Sequence, residues 1–143
     1  MRSLLVASLA LYGATGYCQS APPNEEDTLK YIEGYLRGCT NVSSVQRADV
    51  AFRVKVDTGP MSILYEFNVA DLKTADGGSD VLIVECVIGG CIKEYGDIQS
   101  HWVRLNDQSS WMISCGSQSG SVTRAINYYH RHFGNSEISF PEN

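Results

Sequence analysis

Few side chains in this chain are placed to do chemistry, and the cysteines lead them. Cys39, Cys86, Cys91 and Cys115 fall as one C-x4-C pair and two singletons. A zinc site wants two close pairs, so these four make a poor metal set. A nucleophilic cysteine would need a free thiolate beside a base, and no motif supplies one. Compartment decides between such chemistry and simple bridging. Met1 and Arg2 precede an apolar run over residues 4–14, and small and polar residues then lead to Ala21-Pro22-Pro23-Asn24. That is the layout of a secretory leader covering residues 1–20. In an oxidising compartment the four cysteines are expected to be disulfides. Of the three pairings, Cys86–Cys91 with Cys39–Cys115 is favoured. Cys86 and Cys91 stand opposite each other if residues 87–90 form a four-residue loop, whereas a two-residue Gly89-Gly90 turn would leave them diagonal, about 7–8 Å apart. The second bridge would staple the first helix to the start of the second. Cys18 follows Tyr17 rather than the small residue a lipoprotein anchor wants, and is expected to leave with the leader.

The next candidate is the run Gly116-Ser117-Gln118-Ser119-Gly120-Ser121 with Arg124, between a strand and a helix. Glycines and free N–H groups at a helix start can hold an anion, so Gly116, Ser117, Ser119, Gly120, Ser121 and Arg124 form a possible anion site. The plainer reading is a connection with a serine cap. The run misses the hydrolase elbow G-x-S-x-G because Gln118 occupies the nucleophile position. His130 and His132 are two apart on a helix, so they point away from each other and cannot clasp one metal. His101 reads as a surface or edge residue. Asp76-Gly77-Gly78-Ser79-Asp80 lacks calcium-loop spacing and reads as a turn. Asn41-Val42-Ser43 is a glycosylation sequon, meaningful in a eukaryotic source. No catalytic residue, metal ligand or cofactor is assigned. Tyr31, Tyr35, Tyr128, Tyr129, Trp102 and Trp111 read as core or helix-flank aromatics, although several exposed together would mark a binding face.

Composition narrows the partners. The chain carries a formal net charge of −5, and loss of the leader removes Arg2 and no acid. Nothing gathers Lys and Arg to neutralise phosphates, which argues against nucleic acid. An acidic surface favours a basic protein partner through faster encounter. The apolar run of the leader falls short of the roughly 20 residues a membrane helix needs, so no transmembrane segment is expected.

These residues must be positioned by elements that periodicity reveals. Leu29, Ile32, Leu36 and Cys39 make one helical stripe, with a start expected at Asp27 or Thr28 and stop signals at Gly38 and Asn41. Val50, Phe52, Val54 and Val56, then Ile63, Tyr65, Phe67 and Val69, alternate as a hairpin turned by Thr58-Gly59-Pro60. Residues 74–80 read as a loop, and residues 81–88 as the central strand, reversed by Gly89-Gly90 into residues 91–95. Residues 98–105 and 110–115 read as two further strands joined by a turn at 106–109. Val122, Ala125, Ile126, Tyr129 and Phe133 make a second helical stripe, capped by Ser119 or Ser121 and ended by Gly134-Asn135.

The expected fold is α+β: an N-terminal helix, about six antiparallel strands in a meander, and a C-terminal helix packed on the sheet. A pleckstrin-homology-like barrel with a terminal helix is the alternative. One domain over residues 21–136 would follow the leader, with a loosely held tail at 137–143. The function that fits is a small secreted or periplasmic binding protein, for instance an inhibitor or immunity factor against a basic secreted enzyme. A module for small anions or lipid head groups is the alternative, and a hydrolase ranks below both.

Overall fold

A computed structural model of the chain describes residues 21–75 and 80–134. The leader, Cys18, the Asp76–Ser79 part of the expected turn and the tail at 137–143 lie outside the described residues. The fold is α+β, with eight strands among the described residues, in two antiparallel sheets between an N-terminal and a C-terminal helix.

Helix α1 spans Glu25–Arg37. It starts before Asp27, because Asn24 is its cap: the Asn24 side chain accepts a hydrogen bond from the Asp27 N–H at 2.8 Å. Thr28 Oγ1 donates back to the Asn24 carbonyl at 2.8 Å, so both residues expected as caps belong to the first turn instead. Glu25, Glu26 and Asp27 favour that end electrostatically. Leu29, Ile32 and Leu36 are buried, and Gly38 closes the helix.

The first sheet has the order β1-β2-β3-β6-β7, with β1 Val42–Ala48, β2 Ala51–Asp57, β3 Ser62–Asn68, β6 Ile92–Ile98 and β7 His101–Gln108. The β2–β3 hairpin runs in register from Ala51 opposite Asn68 to Asp57 opposite Ser62. Its turn needs Gly59, whose φ of 93° is costly for a side chain, while the Thr58 N–H and hydroxyl both donate to the Met61 carbonyl. A short 3-10 turn, Val69–Asp71, then carries the chain to a second sheet of order β4-β5-β8: β4 Leu72–Ala75, β5 Val81–Cys86 and β8 Ser110–Ser114.

Two expectations change here. Residues 81–88 and 91–95 do not form a hairpin, because β5 belongs to the second sheet and β6 to the first. The segment after Cys86 crosses between layers, and Gly90, with φ 81°, helps it turn. Nor do residues 106–109 make a turn: β7 continues to Gln108, and Ser109 alone separates it from β8 in the other sheet. The actual reversal between β6 and β7 lies at Gln99-Ser100, both with positive φ (51° and 65°), the geometry a two-residue hairpin turn demands. Strands β1 and β4 account for the rise from six expected to eight, and Thr74-Ala75 belong to β4 rather than to a loop.

The two sheets are hydrogen-bonded separately, so the barrel is not closed. They share one core. Phe52, Val54 and Phe67 of the first sheet meet Leu82, Val84, Trp111 and Ile113 of the second, with the helical stripes over them. Phe52 stacks on Phe67, and Trp111 lies 4.9 Å from the Tyr65 ring. Helix α2, Ser119–Phe133, buries Val122, Ile126 and Tyr129 against α1 and the second sheet. Disulfides join Cys39 to Cys115 and Cys86 to Cys91, the pairing the sequence favours. The first ties the end of α1 to the turn leading into α2. The second spans the crossing between the sheets.

Candidate functional site

Each helix carries a second stripe beside the one that enters the core. On α1 it is Thr28, Tyr31 and Tyr35; on α2 it is Ser121, Arg124, Ala125 and Tyr128. Both follow helical spacing, so each set lines one face. Because α1 and α2 pack together, the two faces border an open groove of about 360 Å³, closed at one side by Pro23. Tyr31 and Tyr35 stack nearly parallel, 6.3 Å apart and 19° between planes. Tyr31 is 55% exposed, far beyond what a packed core tyrosine shows. Across the groove, the Tyr128 hydroxyl donates to the Pro23 carbonyl at 3.2 Å, which leaves its ring as wall.

One charge faces this apolar trough. Arg124 Nη2 donates to Ser121 Oγ at 3.2 Å, and no carboxylate among the described residues pairs with it. Gly120 leaves space for the guanidinium: a Cβ there would stand 3.3 Å from Nη1. Beneath the groove, the buried Tyr129 hydroxyl donates to Glu25 Oε1 at 2.8 Å. Burial, then the bond to Glu25, pushes the Tyr129 phenol well above its ordinary range, so it stays protonated and pins the helices together.

The expected anion site is rebuilt by this geometry. Gly116–Gln118 is a 3-10 turn whose N–H groups are largely used. Gly116 N–H donates to the Asp80 carbonyl at 3.2 Å and Gln118 N–H to the Cys115 carbonyl at 3.1 Å. Neither Ser119 nor Ser121 caps α2; Gln118 precedes it without a side-chain cap bond, and Ser119 is buried within the first turn. Of the six residues expected, Ser121 and Arg124 line the groove, with Gly120 giving the arginine room. Gly116, Ser117 and Ser119 do not line it.

Other candidates separate. His101 starts β7 in the first sheet, whereas His130 and His132 sit on α2, which packs on the second. His132 lies against the Tyr128 ring at 4.2 Å, and His130 Nδ1 is buried without a hydrogen-bond partner among the described residues. No cluster of three His, Cys, Asp or Glu side chains that could hold a metal occurs among the described residues. Asn41 is exposed, with φ 62°, at the approach to β1.

A larger hollow, about 470 Å³, lies over β1–β3 beside Arg47, Arg53 and Glu66. Its charges are already matched. Arg47 bonds Glu26 and Glu33, and Arg53 bonds Glu66 at 2.7 Å. Hydrogen bonding to Glu26 holds the Arg47 guanidinium even more firmly protonated than usual, and Arg47 in turn lowers the Glu26 carboxyl. A ligand there would have to displace these partners. In the interhelical groove Arg124 has no carboxylate partner among the described residues to exchange.

Sequence reasoning named Arg124 and Ser121 but treated the tyrosines as core or flanks. The available signal was the i, i+3, i+7 spacing of Thr28, Tyr31 and Tyr35. Compared with protein-family models, with curated proteins and with solved structures, the chain matches none of them.

Proposed function

We propose that this chain is a disulfide-stapled, exported binding protein whose site is the interhelical groove, and that it takes a small organic acid with an apolar body and one carboxylate. The observation that carries this reading is the meeting of Tyr31, Tyr35 and Tyr128 with an arginine that has no carboxylate partner among the described residues. Aromatic walls offer apolar area at low entropy cost, and a guanidinium edge matches a carboxylate in two hydrogen bonds. The disulfides, and the lack of any helix among the described residues long and apolar enough to cross a membrane, are compatible with an extracellular or periplasmic protein.

The reading as an inhibitor of a basic enzyme has less behind it. Glu26 and Glu33 pair with Arg47, Glu66 with Arg53, and Asp107 with Arg104, so the acids are dispersed and partly neutralised at home.

Thermal unfolding with decanoate, and with decanol as the uncharged control, tests the proposal. Ligand that binds only the native state raises the unfolding temperature. Decanoate is expected to do so and decanol much less. Arg124→Gln should weaken the decanoate effect by about 1.5–3 kcal/mol of binding, the size of a charged hydrogen bond. Equal responses of wild type and Arg124→Gln would remove the proposal.

A further inference from the structure

The sheet edges are not treated alike. Strand β1 is bulged between Val42 and Ser44 and lies beside α1. Strand β4 has four residues and borders α2, and the Ser114 carbonyl at the end of β8 accepts from Thr40 N–H at 2.8 Å. Strand β7 is bulged too, at Leu105, between Arg104 opposite Tyr95 and Asn106 opposite Glu94, but residues 101–104 ahead of the bulge run in regular register along a free edge. It is eight residues long, among the described residues it pairs with β6 alone, and residues 101–107 are all exposed. Its sequence holds no proline or lysine, the residues that usually guard an edge. It carries apolar side chains on both faces instead. Val103 stands opposite Gly96, and Leu105 reaches over the same glycine, with Cδ1 2.9 Å from where a Cβ would be. Met61 and Ile98 extend that patch, while Trp102, 43% exposed, faces the other way.

We propose that β7 pairs with β7 of a second copy of this chain, antiparallel and two-fold symmetric about Val103. Successive residues of a strand turn their N–H and C=O to alternate edges, so the dyad of an antiparallel pair must fall on a residue, not between two. A dyad on Arg104 would set like charges against each other, which is unfavourable. A dyad on Leu105 would place Val103 against Asp107. The dyad on Val103 falls within the regular run ahead of the bulge and sets valine against valine, and Trp102 of each copy against Arg104 of the other. Tryptophan opposite arginine on one face is a cation–π pair, and symmetry makes it twice. Arg104 is already held by Asp107 through the edge of its guanidinium, which leaves the flat face for the indole. A dyad on Trp102 would set Arg104 against Ser100 of the turn and forfeit that pair, so the Val103 register is the self-complementary one.

Analytical ultracentrifugation of the chain over a range of concentration tests this. The wild type should pass from one mass to twice that mass. Val103→Lys puts like charges on the dyad and should raise the dimer dissociation constant by about tenfold or more. Arg104→Glu alone should do likewise. Trp102→Lys combined with Arg104→Glu sets opposite charges across the dyad and should restore the dimer. Far-UV circular dichroism on each variant separates loss of pairing from loss of fold, and the combined variant covers the case in which Val103→Lys does not fold. A wild type that stays monomeric into the millimolar range overturns the proposal. So does a dimer untouched by Arg104→Glu, or a combined variant that remains monomeric.

Discussion

The helical layer and the β6–β7 hairpin use similar residues to opposite ends. Around α1 and α2, leucine, isoleucine and tyrosine are buried, a disulfide joins the layer to the second sheet, and Tyr129 bonds Glu25 between the helices. In the hairpin, Ile98, Trp102, Val103 and Leu105 stand exposed, and neither disulfide of the described residues reaches them. A small domain concentrates its constraints where packing is richest, so a group left unmatched there is informative. Arg124, bonded to Ser121 but with no carboxylate partner among the described residues, is such a group. At the hairpin the whole strand edge is unmatched, and the feature to explain is a surface rather than a residue.

Removing the staples tests this contrast most severely. In the chain-entropy picture, loss of Cys39–Cys115, which closes a separation of 76 residues, costs about 4.5 kcal/mol, against about 2 kcal/mol for Cys86–Cys91, which closes 5. Denaturant unfolding of the two double Cys→Ala variants should show that order. Hydrogen exchange should show the Cys39–Cys115 loss opening α1 and α2 more than the hairpin. Equal destabilisation, or opening centred on β7, would break the comparison.

A pH titration addresses the helix contact itself. The folded state raises the Tyr129 phenol above its usual value near 10. Its contribution is therefore complete below about pH 10 and is lost as pH rises beyond it, because the unfolded chain releases a proton that the fold retains. Tyr129→Phe should flatten the alkaline fall in stability relative to wild type while leaving the acid limb alone.

Smaller effects sharpen the difference. Asn24→Ala removes the cap of α1 and should cost about 1 kcal/mol in denaturant unfolding. Trp102→Ala, despite deleting the largest side chain of the hairpin, should change monomer stability by no more than about 0.5 kcal/mol, since that indole is half in water.

Much of the helical layer is legible in the sequence, and less of the sheets. Leu29, Ile32 and Leu36, and Val122, Ile126 and Tyr129, repeat at helical spacing, and β2 and β3 alternate cleanly, because each buries one face. Strand β1 reads Val-Ser-Ser-Val-Gln-Arg-Ala and buries only Val45, so no alternation betrays it. Strand β4 is too short to show a period. The split into two sheets is hidden because a strand that changes layers through Ser109 looks, residue by residue, like one that turns. For the site, Arg124 and Ser121 are visible as chemistry, but the tyrosines that face them sit on a helix distant in sequence. Only the packing of α1 on α2 brings those stripes together.

Two-dimensional NMR with the tyrosine rings labelled, titrated with decanoate, reaches the central claim directly. The ring signals of Tyr31, Tyr35 and Tyr128 should move together and saturate, Tyr65 should stay still, and Arg124→Gln should abolish the movement at the same decanoate concentration. Signals that stay fixed in the groove, or that move equally in Arg124→Gln, would contradict it.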